Sequence, residues 1–400
     1  MAKVSSGSRW QQLGPVLVVG GLLVACSSGQ PAVTSSRFVR HSEAASSAIR
    51  AVHSCLASST PSTWRALLGV PGLPPQKGLD LSPLAVAGHF AFGQVYSGSS
   101  SQLAIGEGNL LTGQVTEVAP LPVDASGLGA VGADLPWIVW EEGASQYNEG
   151  DWSLHSWDQE TGVSRVLETS QEPSGATLAG APPTPVVWDG MASWVEPTTT
   201  NGQAKLLVVD LATGKSRTLA AGGVGGPVLV GPYLVWTQEQ SAQTVTFRAV
   251  FARNLRPATL PRALQGTQSV SSLSGSSTYL AWGTDELAKL MVWKVGSKYR
   301  EEFAPAVPKD GSPNSSPLFQ FLVLAGPYVL WNTGIAALTM DLKTGKGFVE
   351  IGGDAGVATG SSQWLVAVGA PPIAGRTTAF AQTWIVPLRT ASAPPVDSCG

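Results

Sequence analysis

Along most of this chain the apolar residues fall in short runs bounded by Gly, Pro, Ser, Thr and Asp, a pattern of strands and turns. One run is written almost twice: residues 231–238 read GPYLVWTQ and residues 326–333 read GPYVLWNT. Between them residues 275–284 read GSSTYLAWGT, so Tyr233, Tyr279 and Tyr328 fall at intervals of 46 and 49. Each is followed three positions on by Trp236, Trp282 or Trp331. The same pitch finds Trp137-Ile138-Val139-Trp140 and Met191-Ala192-Ser193-Trp194 upstream, and Gln363-Trp364-Leu365-Val366-Ala367 downstream. His89-Phe90-Ala91-Phe92 is a weaker first copy. From Phe92 to Ala367 six intervals cover 275 residues, about 46 per unit.

A second landmark follows the aromatic strands: Asp158-Gln159-Glu160-Thr161-Gly162, Asp210-Leu211-Ala212-Thr213-Gly214 and Asp341-Leu342-Lys343-Thr344-Gly345, with Leu110-Leu111-Thr112-Gly113 as a degenerate early version. Asp caps such a turn through its side-chain oxygen, and Gly takes the left-handed conformation that closes it. Each therefore joins the two outer strands of one unit. Self-similarity at about 40–50 residues is the mark of β-propeller blades. A β-sandwich gives turn signals every 8–12 residues or so without a sustained longer period. The expectation is an all-β propeller over residues 84–395, of about seven blades, with six or eight compatible with the blurred stretch at 168–186. The recurring Trp and Tyr are expected in the core, wedged between neighbouring sheets.

Residues 37–83 depart from the pattern. Ser42 and Glu43 can start a helix, Ala44 to Leu56 place Ile49, Val52 and Leu56 at near three-to-four spacing, and Pro61 ends the run. A short N-terminal helical segment is expected there, followed by a Pro/Gly linker at 69–83.

The phrases VVDLATGKSRTLA at 208–220 and TMDLKTGKGFVEI at 339–351 resemble the WD40-like repeats of TolB-type bacterial propellers. The resemblance covers roughly residues 84–392 and implies the fold; about activity it implies little. WD40 repeats proper end strands in Trp-Asp and carry Gly-His, whereas here Trp157-Asp158 and Trp188-Asp189 are out of register and Gly88-His89 stands alone.

Composition agrees with strands and turns: 43% of residues are hydrophobic, 13% are charged, and Gly (46) and Pro (29) are abundant among 400. A net charge of −3 with no block of Lys or Arg removes the footprint that nucleic-acid binding needs. At the N-terminus, Lys3 and Arg9 precede an apolar stretch, LGPVLVVGGLLVA at 13–25. Thirteen residues rise only about 20 Å as a helix, short of the ~30 Å hydrocarbon core, so residues 1–25 read as a signal peptide. Leu23-Val24-Ala25-Cys26 resembles the lipobox of bacterial lipoproteins, which implies a lipid on Cys26 and a Ser-rich tether at 26–36. The expected address is the outer face of the cell membrane, reached by export and held by acyl chains. Two cysteines then remain, Cys55 and Cys399, and in an exported protein such a pair usually bonds. That bond would tie the two ends of the chain near the seam of the ring.

Catalytic signatures are few. Gly127-Leu128-Gly129-Ala130-Val131-Gly132 formally matches a dinucleotide fingerprint, but Asp134, Pro136 and an aromatic strand follow where a helix is needed, so it reads as an entry strand. No cofactor is implied, and His41, His53, His89 and His155 lack metal-ligand spacing. The one loop that mixes carboxylates with aromatics is EEGASQYNEGDWSLHSWDQE at 141–160, where Glu142, Tyr147, Glu149, Asp151, Trp152 and His155 are the candidate ligand residues. Propellers present loops at two faces, so the favoured function is a binding or scaffolding module for an envelope protein or glycan. The alternative is a propeller enzyme, a glycan hydrolase or lyase or a calcium-dependent lactonase, with its site at the channel mouth.

Overall fold

A computed structural model of the chain describes residues 49–52, 54–57, 60–68, 73, 79–97, 100–121, 127–143, 151–171, 175, 178, 181–198, 203–241, 243–284, 289–303, 321–332, 336–351, 355–369, 382–388 and 393–396. Seven sheets follow one another around a ring, and except between blades 3 and 4 the first strands of neighbouring sheets pack side by side, including that of the last blade against that of the first. The blades cover residues 79–120, 127–169, 186–222, 228–268, 272–303, 321–351 and 355–387. In blades 1 to 4 four consecutive antiparallel strands make each sheet. All first strands start at one face of the ring, here the entry face. The turns that join first to second and third to fourth strands lie at the other, the turn face.

The repeated letters have the structural meanings expected. Trp140, Trp194, Trp236, Trp282, Trp331 and Trp364 all lie in second strands, and all are at most 7% exposed. Among the described residues the indole N–H of Trp140, Trp194, Trp236, Trp282 and Trp364 meets no acceptor. Leaving a buried donor unpaired costs about 1–3 kcal/mol, so these positions use the ring as a filler. The Asp turns close as predicted: Asp210 Oδ1 accepts from the Thr213 amide at 2.8 Å and Gly214 has φ 71°. In blade 1 Asn109 takes the place of Asp, its Oδ1 accepting from the Leu111 and Thr112 amides ahead of Gly113 at φ 74°. The glycine fingerprint at 127–132 belongs to the first strand of blade 2, Gly127–Asp134.

The N-terminal segment differs from expectation. Instead of one helix over 44–56, residues Ile49–Val52 (β1) and Cys55–Ala57 (β2) are strands, and the helix comes later, at Ser62–Leu68 (α1). Strand β1 pairs in parallel with the outermost strand of blade 5, Ile49 opposite Arg300 and Val52 opposite Phe303. Strand β2 pairs in parallel with the outermost strand of blade 6, Leu56 opposite Gly347. Ile, Val and Leu at those spacings suit an edge strand as well as a helix, and two open sheet edges decide the outcome.

This segment sends apolar side chains into four successive interblade cores. Ile49 joins the core between blades 4 and 5, which holds Phe247, Leu280 and Trp282. Val52 and Leu56 join the next, with Phe303 and Trp331. Ala57, Trp64 and Leu67 pack with Tyr328, Phe348, Leu365 and Val386 between blades 6 and 7. Leu73 lies with Leu81, Trp364 and Val366 at the seam between blades 7 and 1. Trp64 is fully buried, edge-on to Tyr328 with ring centroids 5.1 Å apart, and its Nε1 donates to the Pro394 carbonyl at 3.1 Å. Blade 7 has three strands among the described residues, and α1 packs along the third, Gln382–Pro387. Cys55 therefore stands on the rim of blade 6, one blade short of the seam, and Cys399 lies outside the described residues.

Candidate functional site

The residues at the entry face of blade 2 come from its second strand, Trp137–Gly143, and third, Trp152–Asp158. Their register puts Glu142 opposite Ser153, Trp140 opposite His155, and Glu141 opposite Leu154. Alternation then splits the two glutamates. Trp140, Glu142, Ser153 and His155 share the side that packs toward blade 1, where Trp140 meets Phe92 and Ile105. Glu141 shares the side of Val139 and Leu154, which pack toward Trp194 of blade 3.

On the first side His155 Nε2 lies 2.8 Å from Ser153 Oγ and 3.6 Å from Glu142 Oε2, and its ring stacks on Trp140 at 5.3 Å and 13°. Burial lowers the imidazole pKa, so the ring is neutral at pH 7. Serine and carboxylate thus address the same ring nitrogen. A nucleophilic relay needs them on opposite nitrogens, the carboxylate holding one N–H while the other nitrogen takes the serine proton. The cluster is a polar knot that pins the strand ends.

On the second side Glu141 is 2% exposed. Burial pushes its carboxyl up to about 7, against the Gly129 amide that donates to it and with a smaller push from the Glu142 charge. Gly129 sits where the register of the first strand slips, between Leu128 and Ala130. A Cβ there would run into the Glu141 carboxylate, so the bulge and the missing side chain together make room for it. Glu141 was visible in the sequence only as half of a Glu-Glu pair, with no sign of which half would be buried alone.

The predicted ligand residues are therefore dispersed. Glu142 and His155 are together; Trp152 is 2% exposed in the core with Trp194 and Leu154; Asp151 precedes the third strand and is half-buried; Tyr147 and Glu149 lie outside the described residues. Cys26 is also outside them. Among the described residues no group of three or more His, Cys, Asp or Glu is placed to hold a metal ion.

A second feature of the entry face was not anticipated. A cleft of about 640 Å³ opens over blades 3 and 4, floored by Gly222, Gly223, Gly225 and Gly226 and walled by Pro182, Pro183, Gln203, Thr237, Glu239 and Thr244 among others. The glycines run from the last strand of blade 3 toward the first of blade 4. The Gly225 amide donates to the Thr237 carbonyl at 2.9 Å and the Glu239 amide to the Gly223 carbonyl at 2.7 Å. Side chains at Gly223 and Gly225 would collide with Glu239 and Thr237, so the glycines let this loop lie flat against the strand. The run GGVGG at 222–226 carried no functional signal in the sequence; its place beside an open cleft depends on how two blades splay.

No family model matches the chain, and no curated protein matches it. Solved structures share its architecture. A prolyl endopeptidase structure aligns with 84% of this chain at 12% identity and TM-score 0.53, and the chain spans 54% of that protein's length. An oligogalacturonate lyase from Vibrio parahaemolyticus aligns with 80% of this chain and 93% of its own at 11% identity and TM-score 0.50. TolB from Acinetobacter baumannii aligns with 70% of this chain and 65% of its own at 14% identity and TM-score 0.36. At such identities the likeness is one of fold.

Proposed function

We propose that this chain is an exported lipoprotein, held by acyl chains on Cys26 at the outer face of the cell membrane, whose propeller is a binding or scaffolding module for an envelope protein or glycan. The entry-face cleft over blades 3 and 4 is the observation that best supports a binding role. Its lining of backbone, hydroxyl, amide and proline groups with the carboxylate of Glu239 suits an extended polypeptide better than a sugar ring, which favours an aromatic platform. A photo-crosslinker at Thr244 is expected to capture an envelope protein in intact cells. Gly226 has open space around it, so Gly226→Trp fills the cleft and is expected to abolish the adduct. Capture that is unaffected by Gly226→Trp would refute the cleft as the site.

The lipid rests on the lipobox reading alone, and metabolic acyl labelling of the wild type against Cys26→Ala tests it. The Cys55–Cys399 bond is supported by chain proximity: Val396, three residues before Cys399, is buried in the cluster that Ala57 joins, and the Pro394 carbonyl accepts from both Trp64 and Tyr328. Non-reducing peptide mapping tests it.

A second reading, a glycan hydrolase or lyase or a calcium-dependent lactonase at the channel mouth, is supported by Glu141. A carboxyl with a pKa of about 7 exchanges its proton at neutral pH, as a general acid or base must. Turnover of such a substrate by the wild type and its loss in Glu141→Gln would favour the enzyme.

A further inference from the structure

We propose that the turn face of blades 4 and 5 is a membrane-contact surface that takes the headgroups of anionic phospholipids. The inference rests on the reading of Cys26 as a lipid anchor, and it begins from a charge imbalance. The whole chain carries −3, yet residues 240–300 hold eight basic residues and two acidic ones. The fold gathers five of the eight at one place. Arg253 and Arg256 follow the third strand of blade 4, Thr244–Phe251; Arg262 opens a short 3-10 turn; Lys294 ends the third strand of blade 5, Lys289–Lys294, and Lys298 is in the turn beyond it. All five are exposed. Of the other three, Arg300 Nη1 donates to Gln268 Oε1 at 2.7 Å, Lys289 lies with Glu302 at the far end of its strand, and Arg248 is within its strand.

Aromatic rings are interleaved with these cations. Phe251 is 40% and Tyr299 51% exposed, among the few large apolar side chains so open to water. Tyr233 lies against Phe251 with ring centroids 5.5 Å apart. A cleft of about 600 Å³ between the blades is lined by Tyr233, Arg262, Trp293, Lys298 and Tyr299. Basic side chains attract an anionic lipid surface, and amphipathic rings settle at its headgroup level. The same face of blades 2 and 3 has an acidic balance, with Asp134, Asp158, Glu160, Asp189 and Asp210 against Arg165, Lys215 and Arg217, whereas the turn face of blades 4 and 5 gathers the five cations.

Chain connectivity selects a membrane as the occupant. Strand β1 begins at Ile49, opposite Arg300 and hence beside Lys298 and Tyr299. Twenty-two residues separate Cys26 from Ile49, at most about 75 Å of extended chain. The tether thus joins the ring at the basic, aromatic corner. Acyl chains and a basic patch are the two signals that together give stable membrane attachment.

The test uses the full-length chain with Cys26→Ser, so that no acyl group contributes, and vesicles of phosphatidylcholine with or without phosphatidylglycerol. The apolar leader is common to every arm and cancels. Binding to the anionic vesicles is expected to exceed binding to neutral ones by at least tenfold and to fall with salt. At about fivefold per basic group, the triple change Arg256→Glu, Lys294→Glu, Lys298→Glu is expected to weaken anionic binding roughly a hundredfold and leave neutral binding unchanged. Phe251→Ser with Tyr299→Ser is expected to weaken both by a few fold. Anionic binding unchanged in the charge-reversed chain would overturn the proposal. So would loss of binding to polygalacturonate with vesicle binding intact, which would assign the face to an acidic glycan. Acyl labelling of Cys26 fails or succeeds independently of these outcomes.

Discussion

Blades 1 to 4 and blades 5 to 7 are built from the same repeat and finished in different ways. In the first group four consecutive strands complete each sheet, and the outermost strand ends in water, as Val163–Thr169 of blade 2 does with four of its first residues exposed. In the second group the outer edges of blades 5 and 6 receive β1 and β2, and blade 7 receives α1. The segment that does this comes from before the repeats, and its apolar side chains enter four interblade cores in succession. A ring of sheets has one interface with no chain continuity, between last and first blades. Here a strap laid across the neighbouring interfaces reinforces it, which makes residues 49–73 part of the core.

The sharpest challenge to that comparison is Trp64→Ala. If the strap is core, truncating a fully buried indole that contacts Tyr328 and Phe348 and donates to Pro394 costs about 3–5 kcal/mol, as much as Trp194→Ala inside blade 3. Denaturant unfolding of both variants checks this; a loss under about 1 kcal/mol at Trp64 alone would make the strap an accessory.

Glu141 sharpens the contrast from the unstrapped side, through pH. Its carboxyl has a folded pKa of about 7 against an ordinary 4.5. A raised value means that the fold favours the protonated form: its stabilisation is complete below pH 4.5, declines as pH rises through 7 and is then gone. Glu141→Gln keeps a neutral group throughout. The variant is expected to match the wild type at pH 4.5 and exceed it by roughly 2–3 kcal/mol at pH 8. His155, lowered by burial, shifts stability equally in both proteins and drops out of the difference.

Next in size is Gly347→Ala. A Cβ at Gly347 would strike the Thr339 carbonyl and the Leu56 side chain seated on it, so the substitution is expected to cost about 1–3 kcal/mol and to loosen β2. Gly214 in the turn of blade 3 has nothing within 4 Å of such a Cβ and a φ of 71°. Gly214→Ala therefore carries left-handed strain only, about 1 kcal/mol, with no effect on the strap. Paired melts, with proteolysis near Ala57 as a second readout, separate the two.

Sequence and structure agree where the physics is local and repeated. The 46-residue pitch, the large aromatic ring in each second strand and the Asp turns could be read because each copy meets the same neighbours. The strap could not. Ile49, Val52 and Leu56 suit helix and strand alike, and parallel pairing with strands some 250 to 290 residues away leaves no local mark. Glu141 and the basic corner were hidden for a related reason. The five exposed cations are spread from Arg253 to Lys298 with no run among them, and only the return of successive third strands to one face brings them together. In Trp152 the sequence suggested an exposed ring beside carboxylates; alternation turned it into the core.

Hydrogen exchange along the outermost strands tests the strap most directly. The account predicts that amides of Arg300–Phe303 and Lys346–Phe348, the residues that β1 and β2 cover, are protected like those of central strands, while Val163–Thr169 and Ser216–Gly222 exchange as free edges. It also predicts that Val52→Asp with Leu56→Asp removes the protection at blades 5 and 6 alone. Equal, rapid exchange at all four outer strands in the wild type would contradict it.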